Sequence, residues 1–280
     1  MRQVPRLALW VLLAIVIGLT YSAVITELVR DWIRDDNYSH GFLIPVVSLY
    51  ILWETRNYFR QPLSPSNWGL LGILASAALF VLGAAGSEVF TQRVSLLGLL
   101  ASIVLFLGGW RRLGLAGFPI AFMLFAIPLP YVIYYELTAP MQAFAAKVAV
   151  AGLQVLGVPT VAEGNMIHLP ETSLEVAEAC SGIRSLYAFL ALGAIVARST
   201  PGPMWSRILI FAATIPLSVA GNAVRVLGTG LGAHLIGPEA AEGTVHEMFG
   251  LFVFAVSLIV FILIRKVLGK LWSPVPSSPY

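Results

Sequence analysis

Residues 178–199 read EACSGIRSLYAFLALGAIVARS, a polar opening that turns at Cys180 into an apolar run of membrane-spanning length and closes on Arg198. Cys180 precedes Arg198 by 18 residues, Arg225 follows Arg207 by 18, and His246 precedes Arg265 by 19. At about 1.5 Å of rise per residue, each is about 27 Å of helix from a basic residue that marks the inner face of a membrane. A thiol, a guanidinium and an imidazole are therefore expected at one membrane depth, and the only cysteine of the chain becomes the candidate nucleophile.

Composition agrees with that reading. The 280 residues are 58% hydrophobic and 11% charged, with a mean hydropathy of +0.86, too apolar for a soluble domain. Apolar runs at residues 7–25, 38–53, 68–85, 94–110, 115–134, 181–197, 208–230 and 246–264 suggest about eight transmembrane helices. The N-terminal run has the basic start of a signal sequence with no convincing cleavage site, and is expected to be a retained first helix.

Loop charge sets the orientation. With both termini inside, 11 of the 17 basic residues, among them Arg56, Arg111, Arg198, Arg207 and Arg265, fall on inner segments, and Glu54 is the only one of 14 acidic residues there. This segregation explains the net charge of +3 as membrane orientation and gives no reason to expect nucleic-acid binding. The chain reads as one all-α polytopic domain: five N-terminal spans in residues 1–134, an extracytosolic segment in 135–180, three spans in 181–264 and a cytoplasmic tail in 265–280. Residues 137–156 are long enough to cross but contain Lys147; crossing would invert every later loop, so a re-entrant or interfacial helix is preferred. After Pro159 the segments NMIHL and SLEVAEA read as a small outer hairpin leading into Cys180.

A cysteine attacks as its thiolate, a form favoured by a helix N-terminus or a nearby cation. Ser181 and Gly182 then place backbone amides where an oxyanion would form. Arg225 sits in IPLSVAGNAVRVLGTGLG with Asn222 three residues earlier on the same helical face. A guanidinium in that setting is costly and belongs in a protein interior or an aqueous cavity, where it can hold a thiolate or an oxyanion; Asn222 is either a second donor or a helix–helix hydrogen bond. His246, in TVHEMFG, is the candidate general base toward Cys180 and acid toward a leaving amine. HEMFG lacks the second histidine of a zinc-protease helix, and a single cysteine excludes a multi-cysteine site, so neither metal nor cofactor is expected. Arg184, one turn after Cys180, is a candidate substrate contact, as are Tyr38 and His40 in DDNYSHGFLIP; an interfacial belt is the other reading of that stretch.

Taken together, EACSGIRSL, GNAVR, the terminal-span His246 and DDNYSHGF resemble the exosortase and archaeosortase family over about residues 35–264. The resemblance implies a polytopic transpeptidase or protease of a bacterial cytoplasmic (inner) membrane, with its active site on the periplasmic side and a link to exopolysaccharide-associated export. Its partners would be membrane-anchored proteins bearing a C-terminal sorting signal: a short motif such as Pro-Glu-Pro, a membrane helix and a basic cluster. Carried over, Cys180 is the acyl-enzyme nucleophile, Arg225 a catalytic arginine and His246 the third member, with water or an amine as acceptor. Two other readings stand beside it: a transporter or polysaccharide-export subunit, and a membrane acyltransferase using a cysteine thioester.

Overall fold

A computed structural model describes residues 6–56, 64–170, 172–176, 182–241 and 243–271. The chain falls into two compact units, Met1–Pro130 and Tyr131–Tyr280. Both are dominated by helices, and together they form an all-α integral membrane protein. Among the described residues, five helical stretches are long and apolar enough to cross a bilayer: Val11–Arg34, Trp68–Ala85, Val89–Ala126, Met204–Leu235 and Gly243–Gly269.

In the first unit, α1 spans Arg6–Arg34 and continues well past the apolar run that suggested it. Its last turns persist because Leu28 and Trp32, four residues apart, are both buried, and because Asp31 accepts a 2.6 Å ion-pair contact from the buried Arg93. A 3₁₀ turn over Asp36–Phe42 follows, opened by the Asp35 carboxylate accepting from the Asn37 amide at 2.9 Å. Helix α2 (Leu43–Glu54) is therefore shorter than the apolar stretch from Tyr38. Helix α3 is Trp68–Ala85, the same bounds as the apolar run.

Helix α4 (Val89–Phe122) joins two runs expected as separate spans, with a sharp corner between them at Gly109 (φ 77°, ψ −177°). That conformation is open essentially to glycine alone, so the turn is written into the sequence at GGW. The Glu88 carboxylate caps the start of α4 by accepting from the amides of Phe90 at 3.2 Å and Thr91 at 2.5 Å. A 3₁₀ turn over Met123–Ala126 ends the unit, fastened by the Trp32 indole donating to the Ala126 carbonyl at 2.7 Å.

The second unit begins with α5 (Tyr131–Val155). This 25-residue helix covers the stretch expected to be re-entrant or interfacial and is not among the five that are both long and apolar enough to cross a bilayer. It ends in a Schellman cap: Gly157 has φ 85°, and the Val158 amide reaches back to the Leu153 carbonyl at 2.9 Å. The expected hairpin is present and has a third strand. Strands β1 (Val161–Glu163), β2 (Met166–His168) and β3 (Ser173–Glu175) form an antiparallel meander. Ala162, Ile167 and Leu174 align across it and pack on a core built from Ala145, Ala146, Ala149 and Leu153 of α5.

Helices α6 (Ile183–Ser199), α7 (Met204–Leu235) and α8 (Gly243–Leu271) complete the unit. Phe189, Ile210 and Phe261, one from each, form their common core. On α7, Val226 and Ala233 turn to the α5 core, so α7 is sandwiched. Arg265 Nε donates to Thr200 Oγ1 at 3.4 Å, which aligns the basic ends of α6 and α8. Leu251, Phe252, Ile259 and Leu263 of α8 stay exposed, as lipid-facing side chains do.

Candidate active site

At the other end of these helices, α7 presents Ser218, Asn222, Arg225 and Thr229 at spacings of four, three and four, which is one helical face. Ser218 and Asn222 are buried, while Arg225 and Thr229 are half-buried. Facing them is His246, one turn into α8. Arg225 Nη2 lies 2.8 Å from His246 Nε2, and Thr229 Oγ1 lies 3.2 Å from His246 Nδ1. A guanidinium can only donate, so Nε2 carries the lone pair; Nδ1 then carries the hydrogen and donates to Thr229. The imidazole is neutral and held at both nitrogens.

The guanidinium fits because α8 leaves room for it. A Cβ on Gly250, one turn after His246, would come within 2.9 Å of Arg225 Cζ and Nε. Ser185 of α6, Ser218 and Asn222 of α7, and Ser257 of α8 line a cavity of about 10 Å³ beneath Arg225, about one water molecule in size.

The cysteine motif reaches this face through Gly182. It precedes α6 with φ 80°, and a Cβ there would lie 2.7 Å from Asn222 Cγ. Only glycine accepts both that dihedral and that approach. Cys180 itself lies outside the described residues, as does Ser181, and is two residues from Gly182 along the chain.

Of the residues singled out from sequence, Arg225, His246 and Asn222 are brought together with the Gly182 end of the cysteine motif. Arg184 sits in the first turn of α6 and is exposed. Tyr38 and His40 belong to the first unit. There the buried Tyr38 hydroxyl accepts from the Leu129 amide at 3.3 Å, and His40 Nε2 donates to the Phe125 carbonyl at 3.2 Å. Thr229 and Gly250 were not anticipated. Thr229 is legible as the next polar residue on the Arg225 face, whereas Gly250 becomes visible only when α7 and α8 are packed. A cavity of about 520 Å³ in the first unit is lined by Glu27, Arg30, Asp31, Arg34 and Arg93 among others.

A multi-helix membrane protein with a half-buried Arg–His pair beside a cysteine motif is the class these features define. The transmembrane exosortase family model matches residues 32–263, and the chain belongs to that family. Comparison with curated proteins and with solved structures gives no match.

Proposed function

We propose that the chain is a membrane-embedded cysteine transpeptidase or protease that removes a C-terminal sorting signal from exported proteins through a thioester on Cys180. The observation that carries this reading is the hydrogen bond from Arg225 to His246, on a helix face against which Gly182 of the cysteine motif is packed. Family membership supports it.

The reaction is written for this arrangement as follows. The Cys180 thiol gives its proton to His246 Nε2 as Arg225 turns from the imidazole toward the substrate carbonyl, and the thiolate adds to the carbonyl carbon. Arg225, with Asn222 and the amides at the start of α6, holds the oxyanion. Collapse breaks the peptide C–N bond; the imidazolium returns its proton to the departing amine, leaving a Cys180 thioester and a released membrane helix. Water or an acceptor amine then attacks the thioester and regenerates the thiol. A substrate helix with its basic cluster inside brings its cleavage motif to the outer face, the depth expected of Cys180. Both termini of the enzyme are then cytoplasmic and the site faces the periplasm, with the protein in a bacterial inner membrane.

The test is a reporter ending in a Pro-Glu-Pro motif, a membrane helix and an arginine cluster. Co-expressed with the chain it should be cleaved, and rapid acid quenching should trap a reporter–enzyme adduct that hydroxylamine releases. Cys180→Ala should abolish both at unchanged membrane abundance. Cleavage by the alanine variant would remove the covalent mechanism.

A further inference from the structure

The meander that leads into the cysteine motif ends in β3, an edge with no further strand beside it among the described residues. In an antiparallel ladder, alternate residues spend their backbone groups on the neighbouring strand. Between β2 and β3 the Leu169 amide donates to the Thr172 carbonyl and the Val176 amide to the Asn165 carbonyl, each at 2.8 Å. With Ile167 opposite Leu174, residues 172, 174 and 176 therefore face β2. The amides and carbonyls of Ser173 and Glu175 point the other way, and among the described residues they meet no backbone partner. The opposite edge of the sheet is treated differently: Gln154 of α5 donates to the Thr160 carbonyl beside β1 at 2.8 Å.

We infer that the β3 edge, Ser173 to Glu175, binds an extended polypeptide as a fourth strand and delivers it to Cys180. Two amides and two carbonyls at alternate positions match the main chain of a strand, and this mode recognises backbone first and side chains second. Glu175 also borders a groove of about 390 Å³ between α5 and the β1–β2 turn, lined by Thr138, Gln142 and Asn165 as well. Thr138 and Gln142 are both more than nine-tenths buried, so the groove is a fixed polar pocket able to take a side chain of the bound strand. Cys180 follows Glu175 by only five positions, a reach of no more than about 18 Å. The inference rests on reading the chain as a protease acting at Cys180, and it names how that site would hold its substrate.

Proline at an outward-facing strand position removes one exposed amide and leaves the internal ladder whole. Binding is measured by fluorescence anisotropy with full-length Cys180→Ala protein in nanodiscs. The probe is a labelled synthetic peptide carrying the Pro-Glu-Pro motif, the membrane helix and the arginine cluster. Adding Ser173→Pro or Glu175→Pro should each weaken binding by about tenfold, the effect of one main-chain hydrogen bond. Ala162→Pro, which removes an outward amide from the opposite edge, should change binding by less than twofold. N-methylation along the peptide upstream of the scissile bond should weaken binding at every second residue, a readout that requires no enzyme variant. Edge prolines that fold and bind like the parent, a flat methylation scan, or no binding of the peptide would each overturn the inference. If wild type still cleaves through Cys180 in those cases, the proposed function stands without it. A two-residue period with no Cys180-dependent cleavage would sustain the edge and remove the protease reading.

Discussion

Arg225 and His246 are joined by a 2.8 Å hydrogen bond in which the guanidinium is the donor, which fixes the imidazole with its lone pair on Nε2. The structure thus holds a neutral histidine aligned by an arginine, and in the proposed mechanism both side chains exchange partners before the thiolate forms.

Thr229 holds the other imidazole nitrogen, so Thr229→Val, nearly equal in volume, should cut single-turnover thioester formation by about tenfold with substrate binding retained, and Thr229→Ser should recover most of it. His246→Gln keeps an acceptor for Arg225 but has no basic nitrogen to take the thiol proton. It should lose on the order of 10²-fold or more in the same measurement. Equal rates for wild type and Thr229→Val would mean that the tautomer is not set by this contact.

Gly250→Ala should inactivate without unfolding. Its Cβ would stand 2.9 Å from the Arg225 guanidinium, which must then leave its place, whereas Gly18→Ala on α1 meets nothing within 4 Å and should leave both melting and cleavage nearly unchanged. Reporter cleavage and membrane abundance of the two variants decide the matter, and an active Gly250→Ala would show that the guanidinium need not sit there.

Arg225→Lys should fail in chemistry more than in binding. Lysine keeps a charge but loses the planar fork of donors, so loss of one oxyanion contact predicts a fall of on the order of 10²-fold in single-turnover cleavage. Co-purification of the uncleaved reporter measures the binding side. A lysine variant that binds and cleaves normally would reduce Arg225 to a generic positive charge.

The cap of α4 carries a pH signature. Desolvation raises the Glu88 carboxyl, but hydrogen bonds from Thr91 and the Phe90 amide, with the Arg93 charge, outweigh it and hold the group below the usual glutamate value. The unfolded chain then binds more protons in the window between the two values. The cap contributes fully above the ordinary glutamate pKa and is lost as pH falls through the lower, folded-state one. Thermal melts of purified protein from pH 6 to pH 3 should show Glu88→Gln losing less stability on acidification than wild type; parallel curves would exclude the cap as a source.

Orientation is tested with single reporter cysteines in a Cys180→Ala background on intact spheroplasts. An impermeant thiol reagent should label a cysteine at Thr172 and spare one at Ser66. The reverse pattern would invert every inner and outer assignment made from loop charge.

Hydropathy and residue spacing alone determined a great deal: the helical membrane class, the bounds of α3, the hairpin after Pro159, and the common level of Arg225 and His246. Each follows from a one-dimensional quantity, apolar length or residue count along a 1.5 Å rise. The polar face from Ser218 to Thr229 was equally legible, because spacing on a helix is fixed by its period. Tertiary structure decided the rest. Helix α1 outruns its apolar core to Arg34 because Asp31 meets Arg93, sixty-two residues away, and no local signal records that pairing. Strand β1 forms from a segment too short to show a period, held by its partner β2 and by α5. The protonated nitrogen of His246 and the space that Gly250 yields to Arg225 exist only where two helices meet, since hydrogen-bond roles and close approach are properties of pairs and not of residues.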